Sequence, residues 1–392
     1  MSKKESGKER IKYTIKYAGR QMIRNTISVL NLFPVRKNRV MFYSFNGKQY
    51  SCNPRQISEY LVREHGPELE VIWALKEPDK FKEMIPQEVK RVKYRSLKYY
   101  YLAKTSRVIV YNVQGFGELA RREGQTFIQT WHASNGYKRL GDYVGMRKKL
   151  NLLSHKDYSY VMSGAENMTR NRVRGSMGFD GPVIPGTPRM DMLINKDCPN
   201  LIEKVHNVLG VPEEKKILLY APTWRKDRDQ NDYGLDYFGL KASLEKRFGG
   251  EWVIAVRLHP NVKTRIQTDC PYVVDATDYE DMQELLYVVD GLISDYSSCI
   301  WDYSFTGNPC MLYCADIEKY KEDKSFDIPI SQWGFSISTN MEELCDTIES
   351  FDEEAFREAM EKHHKDMGVL EDGKATERVG SMIMKICGIE EN

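Results

Sequence analysis

From Val40 onward the chain alternates short, uninterrupted apolar runs with longer stretches whose apolar residues recur every three or four positions. The runs Val40–Phe45, Glu70–Leu75, Val108–Tyr111, Phe127–Trp131, Tyr158–Met162 and Val183–Ile184 have the length and continuity of strands buried on both faces. Stretches of helical spacing such as Pro54–Glu64 and Leu97–Lys104 separate them, which predicts parallel strands joined by crossover helices. Pro182, Pro185, Gly186 and Pro188 then interrupt the pattern, and a helix over Leu201–Leu209 leads into a second series. Its predicted strands are Lys216–Tyr220, Trp252–Arg257, Tyr272–Val274, Gly291–Ser294 and Cys310–Tyr313. Two α/β units joined near residues 186–212 follow. The last segments, Glu353–Lys365 and Ala375–Cys387, are helical by spacing, and the final one is placed to pack back on the first unit.

Ahead of this alternation, residues 8–32 predict an amphipathic helix. Ile11, Ile15, Ala18, Met22 and Val29 share one side, and Lys12, Lys16, Arg20 and Arg24 another, with Ile23 and Ile27 among the basic residues. Charge sharpens this. Residues 1–39 hold eleven Lys/Arg against Glu5 and Glu9, so a net charge of +2 divides into +9 here and −7 over the remainder. A basic amphipathic helix suits an anionic membrane surface, and equally a solvated helix packed on its own domain. No apolar run approaches the length of a bilayer span. A terminal basic cluster on an acidic body also argues against nucleic-acid binding. The eight cysteines are scattered without a Cys-x-x-Cys pair, which predicts reduced, buried thiols in the cytosol.

In open parallel sheets ligands bind past the carboxyl ends of the strands, so the residues following each run carry the chemistry. His132-Ala133-Ser134-Asn135-Gly136-Tyr137-Lys138 follows one run and Ala221-Pro222-Thr223-Trp224-Arg225-Lys226-Asp227 a second. Arg257-Leu258-His259-Pro260 follows a third, and Asp295-Tyr296-Ser297-Ser298 a fourth, leading into the helical spacing of Cys299–Tyr303. The two serines have two readings, an N-cap or a phosphate grip, because the first N–H groups of a helix lack partners. His132 and His259 are candidate proton-transfer groups, and each also suits a core histidine bonded to backbone. His65, His155, His206, His363 and His364 stand in helical or charged contexts and are expected at the surface. Cations, hydroxyls and two histidines collected at strand ends make the inventory of a nucleotide-diphosphate site.

Asp227-Arg228-Asp229 has an Asp-x-Asp spelling, yet Arg225, Lys226 and Arg228 oppose a dication there, and neither metal nor other cofactor is expected. Arg, Lys, His and backbone dipoles supply the same neutralisation of phosphate charge. The chain has no Gly-x-x-x-x-Gly-Lys-Ser/Thr loop, no Gly-x-Gly-x-x-Gly and no Gly-x-Ser-x-Gly, which removes support for NTPase, dinucleotide oxidoreductase and α/β-hydrolase chemistry.

Taken in order, the strand-end motifs resemble those of the CDP-glycerol glycerophosphotransferase family, which builds teichoic acid-like polyol-phosphate polymers in bacteria. The likeness runs from Asn38 to Met384. Ser44-Phe45-Asn46-Gly47-Lys48-Gln49-Tyr50 with Asn53-Pro54 is similar to the first-strand signature, and Gln129-Thr130-Trp131-His132 to the acceptor-side motif. Gly186-Thr187-Pro188-Arg189-Met190-Asp191 resembles the interdomain motif. Tyr220-Ala221-Pro222-Thr223-Trp224-Arg225, Arg257-Leu258-His259-Pro260, Ser294-Asp295-Tyr296-Ser297-Ser298 with Asp302-Tyr303, and Asp372-Gly373-Lys374-Ala375-Thr376-Glu377-Arg378 resemble the donor-side motifs. One departure stands out. Many members continue from the histidine as Gly-Thr-Pro-Leu-Lys, whereas this chain reads Ala133-Ser134-Asn135-Gly136-Tyr137-Lys138.

The resemblance implies a GT-B fold, two Rossmann-like domains with a cleft between them, beside the N-terminal basic helix. It divides the chain into a basic, membrane-associating segment 1–37, an acceptor domain 38–190, a CDP-polyol-binding domain 191–370, and a C-terminal helix 371–392 returning towards the first domain. The implied reaction moves a polyol phosphate, glycerol phosphate foremost, from a CDP-polyol to a hydroxyl of a lipid-linked saccharide or polyol-phosphate acceptor, releasing CMP. CDP-ribitol is the alternative donor, and a GT-B nucleotide-sugar glycosyltransferase the alternative enzyme. By matching position Arg189, Pro222, Thr223, Arg257, Leu258, His259, Ser297, Ser298 and Asp302 would line the CDP-polyol site. His132 would face them as general base, with His259 and Arg257 stabilising the departing CMP. The implied place of work is the cytoplasmic face of the bacterial membrane, held peripherally.

Overall fold

A computed structural model describes residues 6–114, 117–136, 145–223, 235–259, 266, 269–318, 320 and 326–389. It divides into two compact units, one of Met1–Ser134, Arg139–Asp191 and Leu370–Asn392, the other of Asn135–Lys138 and Met192–Val369. The Asp227–Asp229 spelling lies outside the described residues.

The first unit carries helices α1 (Gly7–Ile27), α2 (Cys52–His65), α3 (Leu97–Thr105) and α4 (Gly145–His155), and the single turn α5 (Glu166–Met168). Its strands are β1 (Arg36–Tyr43), β2 (Glu70–Leu75), β3 (Lys90–Lys93), β4 (Ser106–Tyr111), β5 (Thr126–Gln129), β6 (Tyr160–Ser163) and β7 (Val183–Pro185). They form one parallel sheet in the order β3-β2-β1-β4-β5-β6-β7. Alternate residues serve opposite faces, as a strand's two-residue period requires. Val40, Phe42, Val71, Trp73, Val108 and Val110 meet Ile57 and Leu61 of α2 and Val379 and Ile383 of the last helix, Ala375–Cys387. Met41, Tyr43, Ile72, Ala74, Ile109 and Tyr111 meet Tyr99 and Leu102 of α3 and Ile27 of α1. Both faces are dry, which is why these strands read as continuous apolar runs.

In the second unit β8 (Lys216–Ala221), β9 (Trp252–Val256), β10 (Val273–Asp275), β11 (Gly291–Ser294), β12 (Cys310–Tyr313) and β13 (Ile337–Ser338) form a parallel sheet in the order β10-β9-β8-β11-β12-β13. Helix α6 (Pro188–Asn195) runs from the first unit into the second, whose helices are α7 (Asn200–Leu209), α8 (Tyr237–Phe248), α9 (Met282–Val288) and α10 (Cys299–Tyr303), then Met341–Glu349 and Glu353–Met367. In each sheet the first and fourth strands are neighbours and later strands extend on both sides of them, the strand order of a Rossmann unit.

Two strands escaped the apolar pattern. Both β3, with the sequence Lys-Arg-Val-Lys, and the two-residue β13 are sheet edges, where a strand needs little apolar surface and lysines discourage further pairing. Three histidines expected at the surface are buried instead. His155 Nδ1 lies 2.9 Å from the Met177 carbonyl, His206 Nδ1 lies 3.1 Å from the Val211 carbonyl, and the His363 ring stacks 4.4 Å from that of Trp301. Each imidazole pairs a polar edge with backbone or offers a flat face to an aromatic, so helical context alone says nothing of its depth.

The N-terminal helix packs on α4 through the Arg20 and Arg24 part of the side that the sequence marks as basic, while Lys12 and Lys16 stay exposed. Arg24 is buried, its Nη2 donating to Asp157 at 2.7 Å and Nη1 to the Gly117 carbonyl at 3.0 Å. Tyr13, Tyr17 and Arg20, on the same side, are half-buried. Ile11, Ile15 and Met22 lie on the opposite side and are 64%, 68% and 69% exposed, so the apolar stripe faces solvent. The helix ends in a 3-10 turn, Ser28–Leu32, which adds exposed Val29 and Leu32.

Removing one member of a buried ion pair leaves the other charge without compensation, at a cost of roughly 3–5 kcal/mol. Arg24→Ala is expected to lower stability on that scale or to release α1. Denaturant titration together with limited proteolysis of the first 30 or so residues will read whichever occurs, and a midpoint and cleavage pattern like the parent's would contradict the anchoring role.

Candidate functional site

Where a sheet's strand order reverses, the crossover helices leave on opposite faces and the strand ends stay open. In the first unit that point lies between β1 and β4. The chain leaving β1 makes a tight turn in which Phe45 and Asn46 have φ of 45° and 57°, the left-handed region that non-glycine residues rarely occupy. Asn112, the first residue past β4, holds that turn: its Oδ1 accepts the Phe45 N–H at 2.8 Å and its Nδ2 donates to Ser44 Oγ at 3.2 Å. Past the neighbouring β5, Trp131 is also left-handed, with φ 54°. Non-glycine strain of this kind costs on the order of 1–3 kcal/mol per residue and gathers where side chains must be aimed.

The Trp131 turn presents His132. The ring's Nδ1 lies 2.8 Å from the Asn112 carbonyl, one face stacks on Trp131 at 4.5 Å, and Phe45 packs at 5.6 Å. Asn53, buried in the first turn of α2, donates to the Thr130 and Trp131 carbonyls at 3.1 and 3.0 Å. Its Oδ1 accepts the Arg189 N–H at 2.9 Å, so one amide joins the β5 turn to the start of α6. Arg172, on the π-helical stretch Thr169–Ser176, places its guanidinium 5.3 Å from the centre of the Trp131 ring. Burial first, and then the charges of Arg189 and Arg172, push the His132 imidazole down from 6.5 to about 4, against the opposing pull of the Asn112 carbonyl. His132 is therefore neutral at cellular pH. With Nδ1–H donated to the carbonyl, the lone pair is on Nε2.

In the second unit the order reverses between β8 and β11. Asp295 ties their ends together, accepting the Thr223 N–H at 2.9 Å, the Thr223 hydroxyl at 2.5 Å and the Tyr296 N–H at 2.6 Å. Ser294 Oγ donates to the Ala221 carbonyl at 2.6 Å. Past β9, Arg257 donates through Nη2 to the Tyr279 carbonyl at 2.9 Å, while its buried Nε has no hydrogen-bond partner. Burial pulls its guanidinium below the ordinary value, and Asp281 is the largest opposing influence. Leu258 is buried, its N–H donating to Thr277 Oγ1 at 3.1 Å, and His259 is exposed.

Ser297 and Ser298 are half-buried between β11 and α10. The Ser298 side chain makes no capping hydrogen bond, and Ser297 Oγ accepts the Cys299 N–H at 3.5 Å. At five residues α10 is too short to offer a strong dipole. Asp302 is buried, with Gln283 Nε2 3.4 Å from Oδ2. The predicted residues thus form two groups: Pro222, Thr223, Arg257, Leu258, His259, Ser297, Ser298 and Asp302 in the second unit, and His132 and Arg189 in the first. Asn112 and Arg172 were not singled out in the sequence. Asn112 had a signal, since it directly follows an apolar run, whereas nothing in the spacing announces a π-helical turn.

The family model described as CDP-glycerol:poly(glycerophosphate) glycerophosphotransferase matches residues 25–385. The chain is 29% identical to a teichoic acid glycerol-phosphate transferase of Staphylococcus aureus, over 96% of this chain and 100% of that one. It is 28% identical to a teichoic acid ribitol-phosphate primase of Bacillus spizizenii, over 90% and 92%. Poly(glycerol phosphate) polymerases of Staphylococcus epidermidis and Bacillus subtilis also match, and the chain spans about half their length, 51% and 49%. Among solved structures, that of the wall teichoic acid polymerase TagF superposes with a TM-score of 0.80 at 26% identity, covering 98% of this chain and 99% of that one.

His132 is expected to titrate near pH 4 in the free protein, measured by its ring resonances. Because the folded value lies below the ordinary 6.5, the neutral ring stabilises the fold fully above pH 6.5, and that contribution drains away as pH falls towards 4. Titration at 6.5 would show that the ring is solvated.

Proposed function

The chain belongs to the CDP-glycerol:poly(glycerophosphate) glycerophosphotransferase family, and from that premise we propose that it transfers glycerol phosphate from CDP-glycerol to a hydroxyl of a lipid-linked acceptor in teichoic acid synthesis, releasing CMP. The observation that carries the chemistry is His132: a neutral imidazole whose Nδ1–H is committed to the Asn112 carbonyl and whose Nε2 lone pair is left to take a proton. Nε2 removes the proton of the acceptor hydroxyl as its oxygen attacks the phosphorus that bears the glycerol. The bond from that phosphorus to the CMP oxygen breaks, a phosphodiester forms, and CMP departs with the electron pair. Arg257 and His259 stabilise the charge that develops on CMP, Ser297 and Ser298 donate to donor phosphate oxygens, and Thr223, whose N–H and hydroxyl both go to Asp295, fixes the end of β8 beside them. Pro222, Leu258 and Asp302 line or support that site, and Arg189 stands with His132 in the first unit. Phosphoryl transfer depends chiefly on positioning and charge stabilisation, which fixed cations and hydroxyls supply.

CDP-ribitol is the second reading. It is favoured by the likeness to a ribitol-phosphate primase and by Ala133-Ser134-Asn135 standing where many members have Gly-Thr-Pro.

The acceptor's lipid also explains the N-terminal helix. Its exposed stripe of Ile11, Ile15 and Met22 points away from the domain that Arg24 anchors, flanked by Lys8, Lys12 and Lys16. Such a surface lies on anionic lipid, and among the described residues no helix is long and apolar enough to cross a membrane. The enzyme works peripherally at the cytoplasmic face.

Incubation with CDP-glycerol and, separately, CDP-ribitol plus a lipid-linked acceptor is expected to release CMP faster from CDP-glycerol. A higher rate from CDP-ribitol selects the second reading, CMP from neither donor defeats both, and a nucleoside diphosphate released from a nucleotide sugar marks a glycosyltransferase. His132→Ala is expected to lower kcat about 10²–10⁴-fold, and a near-parental rate removes the base assignment. In vesicle sedimentation, phosphatidylglycerol membranes are expected to retain the protein better than phosphatidylcholine ones, and Ile15→Glu with Met22→Glu to abolish the difference. Equal retention of parent and double variant would exclude the helix as the contact.

A further inference from the structure

Asn112 is wholly buried at the point where the first sheet's strand order reverses, and its side-chain oxygen, side-chain nitrogen and main-chain carbonyl all have partners. The side chain spans the left-handed turn after β1 through the Phe45 N–H and Ser44 Oγ, while the main-chain carbonyl receives His132 Nδ1. Holding the amide in both bonds restrains the backbone of Asn112 and with it the carbonyl that meets the imidazole. Phe45, fixed by the same side chain, packs against the His132 ring. Two strained turns on different strands are thus referred to one residue. These bonds lie beyond the β1–β4 ladder, which ends at Tyr43 and Tyr111.

We infer that Asn112 is a positioning residue for the transfer reaction, locking His132 in the Nδ1–H tautomer so that Nε2 is always the proton acceptor. This rests on the reading of His132 as the base. Other groups facing the ring are the Arg172 and Arg189 cations and the Trp131 and Phe45 rings. Among the described residues that face the ring only the two arginines carry charge, and neither accepts a hydrogen bond, so the Asn112 carbonyl decides the tautomer. A substitution that frees the carbonyl lets the ring sample the other tautomer, which places N–H where a lone pair is needed. The loss is in the chemical step and not in donor binding.

The test uses the full chain labelled with 15N-histidine, whose ring nitrogen shifts report the tautomer, together with steady-state CMP release. The parent is expected to show a protonated Nδ1 and unprotonated Nε2 at pH 7. Asn112→Ala is expected to give mixed tautomers and a kcat about 10²-fold lower with little change in KM for the donor. Asn112→Asp keeps the acceptor for the Phe45 N–H and is expected to restore a single tautomer, while its carboxylate raises the His132 titration by about one pH unit or more. A parental tautomer in Asn112→Ala, or an unchanged titration in Asn112→Asp, overturns the inference even if that variant is less stable. If the shifts behave as expected but His132→Ala retains full transfer, the locking stands and the base assignment fails.

Discussion

Two parallel pairings, β1 with β4 and β8 with β11, set the conditions for everything else in this protein. At each pairing the crossovers leave on opposite faces of the sheet, so the polar backbone of the strand ends must find partners beyond the ladder. In the first unit those partners are the Asn112 and Asn53 side-chain amides, which hold turns that non-glycine residues would otherwise leave. In the second unit a single carboxylate, Asp295, does the corresponding work by accepting from Thr223 and Tyr296. Chemistry-bearing side chains therefore sit on rigid strand ends, fixed by buried amides or a carboxylate.

The two units differ in how charge is handled. The first keeps its imidazole neutral by burying it near two arginines, a cationic setting that welcomes an anionic substrate. The second buries Arg257 against carbonyl oxygen and sulfur and leaves its Nε without a protein partner, while the charges of Asp281 and Glu280 oppose the effect of that burial. The N-terminal helix shows the same economy: one buried guanidinium fixes its orientation, and that orientation turns the apolar stripe outward.

Much was legible in the chain because buried parallel strands must be apolar on both faces, and such runs stand out from amphipathic helices. Strands β2, β11 and β12 have the bounds the pattern predicts, and the strand-end motifs led to the family and the two-sheet fold before any coordinates. Edge strands β3 and β13 were missed since an edge needs charge or brevity instead of apolar length.

The sequence by itself determined fold class, family and the kinds of side chain past each strand, since all of these follow from local periodicity and short motifs. Tertiary structure alone decided which of those side chains act on one another. Asn112 and His132 are 20 positions apart, and Arg24 and Asp157 are 133 apart, and no local pattern encodes such pairings. The same holds for the face that α1 turns to its domain: hydrophobic spacing predicts an apolar side, but only an ion pair from a distant loop fixes which way that side looks.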